Sequence, residues 1–185
     1  LMLYTEDTYE IESLPYFGYM RGRYTKAELK ECDEFADIFG IEMIPCIQTL
    51  AHLYAVLKWN YMPGIRDTDD ILFVGEDATY EFVEKMIVAA SAPFKSRRIH
   101  IGMDEAHALG TGSYFKKHGY RRRFDIMNEH LTRVVDIAKK HNLSPMIWSD
   151  MYFRIGAPTG YYYDENVNIP QDVIDNIPKD VDLVY

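Results

Sequence analysis

The sequence has no uninterrupted apolar run approaching the roughly 18 to 20 residues of a membrane-spanning helix, and no basic-then-apolar opening of the kind that directs secretion. No membrane partner is predicted, and the reading for location is cytoplasmic. Positive charge is scarce as well: 20 Lys and Arg stand against 29 Asp and Glu, a formal net charge of −9. A nucleic-acid binder needs a basic face to meet phosphates, so that partner class is excluded. Cysteine is limited to Cys32 and Cys46, with no CxxC spacing and no second pair to build a metal site. Both are read as buried free thiols, one on a helix and one on a strand, which fits a reducing compartment. Internal repeats, low-complexity segments and composition shifts that would mark a domain boundary are also missing.

What is present suffices for a packed core, since 48% of the residues are hydrophobic and 26% charged. The chain is rich in tyrosine, with 15 of them, which suits stacking surfaces as well as interiors. It opens directly in the strand-like Leu1-Met-Leu-Tyr and stops inside the strand-like Val181-Asp-Leu-Val-Tyr185, so a fragment of a longer domain is expected.

Apolar periodicity alternates along the chain. Leu1 to Thr5 reads as a strand. Thr25 with Glu28 three residues on is a capping box, and Leu29, Cys32, Phe35, Ala36 and Phe39 then follow at helical spacing up to Gly40. Ile41 to Ile47 is a strand, and residues 48 to about 78 show no strong period. Phe82, Val83, Met86, Ile87 and Ala90 mark a helix stopped at Pro93, and Arg98 to Gly102 is the next strand. Phe124, Met127, Leu131, Val134, Val135 and Ala138 line one side of a long helix from about Arg122 to His141. Ser144 to Ser149 is a strand, Gln171 to Asn176 a short helix, and the final strand begins at the end of the chain. The order β-α-β-α-β-α-β-α-β predicts an α/β fold with a parallel sheet. Helix-to-strand links are short and strand-to-helix links are long, so the working face is predicted at the carboxyl ends of the strands.

One segment stands out at such an end. Arg98-Ile-His-Ile-Gly-Met-Asp-Glu-Ala-His107 delivers two adjacent carboxylates, Asp104 and Glu105, whose side chains leave the backbone in different directions and so can occupy different environments, as an acid and an orienting anion require. Asp-Glu-Ala-His also resembles the acidic segment of DEAH-box helicases, but that chemistry needs a GxxxxGK[ST] phosphate loop, and none is present. A metal reading through Asp104, Glu105 and His107 has no HExxH motif behind it. Gly110-Thr-Gly-Ser113 is read as a flexible loop, Arg121-Arg-Arg123 as a solvated cluster at a helix start, and Tyr161-Tyr-Tyr163 as loop aromatics able to stack on an outer subsite.

A more extensive match runs along the whole chain. His100-Ile-Gly-Met-Asp-Glu105 resembles the His-x-Gly-Gly-Asp-Glu signature of glycoside hydrolase family 20, the β-N-acetylhexosaminidases, with Met103 in place of the second glycine. Leu3-Tyr-Thr-Glu-Asp7 resembles the second strand of that family's (β/α)8 barrel, Ile44-Pro-Cys-Ile-Gln-Thr-Leu-Ala-His52 its third, and Pro145-Met-Ile-Trp-Ser-Asp150 its fifth. The resemblance implies a partial barrel of about strands two to six, one truncated catalytic domain over residues 1–185, against about 250 residues for a whole barrel.

It also implies exo-acting, retaining hydrolysis of terminal β-linked GlcNAc or GalNAc, in which the substrate's 2-acetamido oxygen is the nucleophile, an exception to the two-carboxylate scheme. On this reading Glu105 is the general acid and base, with a pKa raised by partial burial and by its anionic neighbour. Asp104 orients the acetamido group, Trp148 walls its pocket, His52 bonds a sugar hydroxyl or an acidic neighbour, and Asp150, exposed at the end of the Trp148 strand, contacts a sugar hydroxyl. His100 supports the acidic loop, and Met103 either crowds the turn or fills the space beneath it. No cofactor and no metal is implied, and the partners are N-acetylhexosamine-terminated glycans. Five strands leave two open sheet edges, so self-association is a further expectation, and a non-catalytic carbohydrate-binding or scaffold piece is the alternative function.

Overall fold

The computed structural model describes residues 1–59 and 64–185. Residues 60–63, within the segment without a clear period, lie outside the described residues. The elements in chain order are β1 (Met2–Glu6), α1 (Lys26–Ile38), β2 (Ile44–Ile47), α2 (Tyr54–Leu57), α3 (Asp77–Ser91), β3 (Arg98–His100), α4 (Ser113–His118), α5 (Arg123–Lys140), β4 (Ser144–Trp148), α6 (Asp150–Gly156), α7 (Gln171–Asn176) and β5 (Asp182–Val184). The five strands pair in sequence order, all parallel, into one sheet.

The helices form where local signals are strongest. Thr25 caps α1: its hydroxyl accepts from the Glu28 N–H at 3.1 Å, while the Glu28 carboxylate accepts from the Thr25 N–H at 2.7 Å. The core lies between the sheet and α3 and α5, where Phe82, Val83, Met86 and Ile87 face Leu131, Val134 and Val135 over Ile99, Ile101 and Ile147. Each large side chain removed from water there contributes on the order of 1.5–3 kcal/mol.

The structure corrects several expectations. Helix α1 buries Leu29, Asp33 and Ala36 and leaves Cys32, Phe35 and Phe39 in solvent, so only Cys46 is a buried thiol. The reason is that the buried stripe is narrower than the apolar one: Asp33 joins it because its carboxylate accepts the Lys95 backbone N–H at 3.1 Å. Three short helices, α2, α4 and α6, occupy segments read as loops; with 4, 6 and 7 residues they span too few turns to show a period. Strand β3 ends at His100 because Gly102 and Met103 take φ of 73° and 74°, outside the extended region. Nor is Arg121-Arg-Arg123 merely solvated. Arg121 pairs with Glu129, Arg122 with Asp125 and Asp172, and Arg123 Nη2 donates to the His107 carbonyl at 2.9 Å, pinning the loop after β3 to α5.

One buried contact ties the long helix to the future site. His130 is fully buried on α5; its Nε2 lies 2.8 Å from the Thr49 carbonyl oxygen, which can only accept, so the proton sits on Nε2 and Nδ1 faces the Tyr80 hydroxyl at 3.3 Å. Burial pushes His130 down from 6.5 to about 4. Between those values the unfolded chain binds a proton that the folded one refuses, so stability is lost as the pH falls from about 6.5 toward about 4 and is unaffected above that window. Replacing His130 with Asn should therefore remove one proton's share of that slope, ~1.4 kcal/mol per pH unit, in urea unfolding at stepped pH. An unchanged slope would show that His130 carries no such linkage.

Candidate active site

Strand β1, through Tyr4, and the loops leaving the carboxyl ends of β2 to β4 contribute to one constellation. After β3 the backbone turns sharply, with Gly102, Met103 and Glu105 all at positive φ (73°, 74° and 51°). Only glycine fits at 102: a Cβ there would stand 2.2 Å from Gln48 Oε1 and 2.6 Å from the Ile47 carbonyl oxygen. Met103 accepts a conformation that costs an L-residue about 1–2 kcal/mol. Its side chain is wholly buried in the core, so it fills the space beneath the turn and does not crowd it.

What holds this turn is Gln48, at the end of β2 and fully buried. Its Oε1 accepts the Met103 N–H at 3.3 Å, and its Nε2 donates to Asp104 Oδ1 at 2.7 Å and to the Tyr4 hydroxyl at 3.3 Å. The neighbouring Thr49 hydroxyl donates to the Ile101 carbonyl at 2.7 Å. Asp104 Oδ2 lies 3.2 Å from His52 Nε2 without completing a hydrogen bond, so Oδ1 is the carboxylate oxygen that is held. His52 itself sits at φ 58° and lies 3.7 Å from Glu105 Oε2.

Glu105 is bracketed from the other side by α6. Its backbone N–H donates to Asp150 Oδ2 at 3.2 Å, Arg154 Nε donates to the same oxygen at 3.0 Å, and Arg154 Nη2 reaches Glu105 Oε1 at 3.3 Å. Asp150 and Arg154 are four residues apart on one helix face, which brings both to Glu105 together. Burial pushes the Asp150 carboxyl up.

The burial of Glu105 is only partial, with 47% of its side chain exposed. One expectation changes here. Asp150 stands at the start of α6, not on the strand, and faces the Glu105 backbone instead of open solvent.

Trp148, the last residue of β4, is half-buried and packs against His100 with ring centroids 4.4 Å apart. Trp148, Asp104, Glu105, Asp150, Arg154, Tyr162 and Tyr185 line a cavity of about 190 Å³. Tyr162 is held there by a 3.2 Å hydrogen bond between its hydroxyl and that of Ser149. The sequence-derived residues Asp104, Glu105, His52, Trp148 and Asp150 thus come together. His107 does not join them: its side chain is exposed, and among the described residues the donors able to converge on a cation are His52, Asp104 and Glu105, within 4.8 Å of one another. Of these, Asp104 accepts a hydrogen bond from Gln48 and Glu105 one from Arg154. Sequence reasoning missed Gln48 and Arg154. The first lay inside a quoted strand segment whose apolar neighbours drew the attention; the second showed only as an i, i+4 partner of Asp150 on a helix too short to be recognised.

A single parallel sheet with its long loops gathered over the strand ends is a sector of a (β/α)8 barrel. The chain belongs to glycosyl hydrolase family 20, whose catalytic domain matches residues 5–169. It is 27% identical over 155 residues to hexosaminidase D of Homo sapiens, covering 76% of this chain and 32% of that protein. The Bos taurus hexosaminidase D is 25% identical over 154 residues, covering 76% and 44%. The chain therefore spans about a third to under half the length of these relatives. Among solved structures, the β-N-acetylhexosaminidase of Bacteroides fragilis superimposes with a TM-score of 0.70 at 20% identity, over 100% of this chain and 37% of that one. The Streptomyces plicatus N-acetyl-β-hexosaminidase in complex with Thio-NAglucal gives 0.63 at 25% identity, over 82% and 33%.

The latch generates a stability test. Gln48→Leu leaves the Met103 N–H and the inner oxygen of Asp104 without their partner, and should cost about 1–3 kcal/mol, read as a fall of several degrees in melting temperature. Gly102→Ala, which drives a methyl group into the same amide, should cost at least as much. A Gly102→Ala protein that melts with the wild type would refute the close approach.

Proposed function

We propose that the protein is an exo-acting β-N-acetylhexosaminidase that removes terminal β-linked GlcNAc or GalNAc by retaining, substrate-assisted hydrolysis. The observation that carries this reading is the unequal treatment of the two adjacent carboxylates. Asp104 is anchored through Oδ1 by the buried Gln48, with His52 Nε2 3.2 Å from its other oxygen, as suits an orienting anion. Glu105 is half exposed at the edge of the cavity, where a group that exchanges protons with a leaving oxygen and with water has to stand.

The steps follow from that arrangement. The acetamido carbonyl oxygen attacks the anomeric carbon as the glycosidic bond breaks, and Glu105 gives its proton to the departing oxygen. Asp104 accepts a hydrogen bond from the acetamido N–H and stabilises the positive charge spreading over the five-membered ring that forms. Trp148 covers the acetamido methyl group and keeps water from it. Glu105, now a carboxylate, takes a proton from water as that water attacks the anomeric carbon and reopens the ring. Two displacements at one carbon restore its configuration. In this scheme the Arg154–Glu105 contact belongs to the carboxylate form of Glu105 and opens when Glu105 carries its proton.

A second reading, a non-catalytic carbohydrate-binding or scaffold unit, draws support from the open sheet: among the described residues β1 and β5 each have one unpaired edge, with Tyr4 and Leu183 exposed on them, and such edges also favour self-association. Hydrolysis of p-nitrophenyl β-N-acetylglucosaminide separates the two. Under the first, Glu105→Gln should lower kcat by about 10²–10⁴-fold while leaving product binding nearly intact. Asp104→Asn should also lower kcat strongly, by about 10²–10³-fold. A wild-type protein that binds N-acetylglucosamine without turnover supports the second.

A further inference from the structure

His100 lies on the strand that delivers the acidic pair, yet it does not line the cavity. It is fully buried, sharing the inner face of the sheet with Cys46 and Met146, its register partners on the two neighbouring strands. Its Nδ1 accepts the Gly102 N–H at 3.1 Å, so the ring proton sits on Nε2. Nε2 is buried and has no hydrogen-bonding partner among the described residues. A buried donor without a hydrogen bond is costly, and a fold that keeps one at this position obtains something for it. The rest of the ring leans on Trp148, 4.4 Å between centroids at an interplanar angle of 47°. Trp148 in turn donates its backbone N–H to the Gly102 carbonyl at 3.1 Å. One imidazole therefore touches the peptide that starts the Asp104 turn and the indole that walls the cavity.

We infer that His100 is a positioning residue that locks the Trp148 indole to the Gly102–Asp104 turn, so that the wall of the pocket and its orienting carboxylate keep a fixed spacing. The inference rests on the hydrolase reading for its kinetic consequence and on packing alone for its structural one. The ring has two separable jobs. Its Nδ1 accepts a hydrogen bond, and Asn places an amide oxygen close to that position. Its face supports the indole, and Phe supplies a ring without the acceptor.

The test uses His100→Asn and His100→Phe in a Trp59→Phe background, which leaves Trp148 as the only tryptophan. In His100→Asn, acrylamide should quench Trp148 fluorescence more efficiently than in the parent, while Gly102 amide exchange stays within about threefold of the parent. In His100→Phe, quenching should match the parent, while the Gly102 amide exchanges about tenfold faster for want of its acceptor. With p-nitrophenyl β-N-acetylglucosaminide, the Asn variant should raise KM about tenfold with kcat nearly kept, and the Phe variant should lower kcat at least tenfold with KM nearly kept. Two variants that change quenching and exchange together, or kinetic losses that only track the folded fraction, overturn the inference. If the parent itself shows no turnover, the hydrolase reading fails, and quenching and exchange still decide the positioning role.

Discussion

A buried carboxamide governs the carboxyl end of the sheet. Gln48 reaches from β2 across to the turn after β3, where its oxygen takes the Met103 N–H and its nitrogen holds Asp104. An amide has one acceptor end and one donor end, and both are used, so its orientation is set by its neighbours. A carboxylate in the same place could not donate to Asp104, and an aliphatic side chain could do neither job. The left-handed turn, the absence of a side chain at Gly102 and the direction of Asp104 all follow from accommodating that one group. His52 Nε2 stands 3.2 Å from Asp104 on the far side without a hydrogen bond, and His130 keeps the segment between Gln48 and His52 in place by binding the Thr49 carbonyl from the long helix.

Glu105 is governed differently. Its backbone is anchored by Asp150, but its carboxylate meets two groups that can leave it, Arg154 at 3.3 Å and His52 at 3.7 Å. Exposed ion pairs of this kind add little to stability, and under the proposed mechanism such weak partners leave Glu105 free to gain and lose its proton. Asp150 absorbs the strong interactions instead, accepting both the Glu105 N–H and the Arg154 Nε. The neighbouring carboxylates thus differ in constraint more than in charge: one is fixed to the sheet, the other to a helix through its main chain and one long contact from Arg154.

Much of this is legible in the sequence alone. The capping box at Thr25 and Glu28, the apolar stripes of α3 and α5 and the asymmetry of loop lengths identified a parallel α/β fold with its working face at the strand ends, because each rests on a period or a cap that local sequence carries whole. Asp104, Glu105, Trp148 and His52 could be picked out because they sit at strand ends in a recognisable string. The roles of Gln48 and Arg154 could not, since each is defined by a contact across 45 to 60 residues of chain, 56 from Gln48 to Asp104 and 49 from Arg154 to Glu105. Phe35 and Phe39 misled for the opposite reason. Their spacing is helical and their rings touch at 5.3 Å, but the face they form has no sheet behind it.

Met103 shows how the site tolerates a departure from the glycine more usual in its family. The turn demands φ near 74° there, a conformation glycine adopts freely and methionine does not. Methionine remains tenable because its unbranched thioether can bend into whatever room the core leaves, and that side chain is wholly buried. The strain and the burial are of the same order and opposite sign, since sinking a methionine into a core returns about 1.5–3 kcal/mol. A β-branched residue would meet the same backbone demand with a stiffer side chain, and a polar one would add an unpaired group beneath Asp104. The substitution therefore anchors the turn from below while Gln48 anchors it from the side, and Asp104 is left with little freedom except toward the cavity.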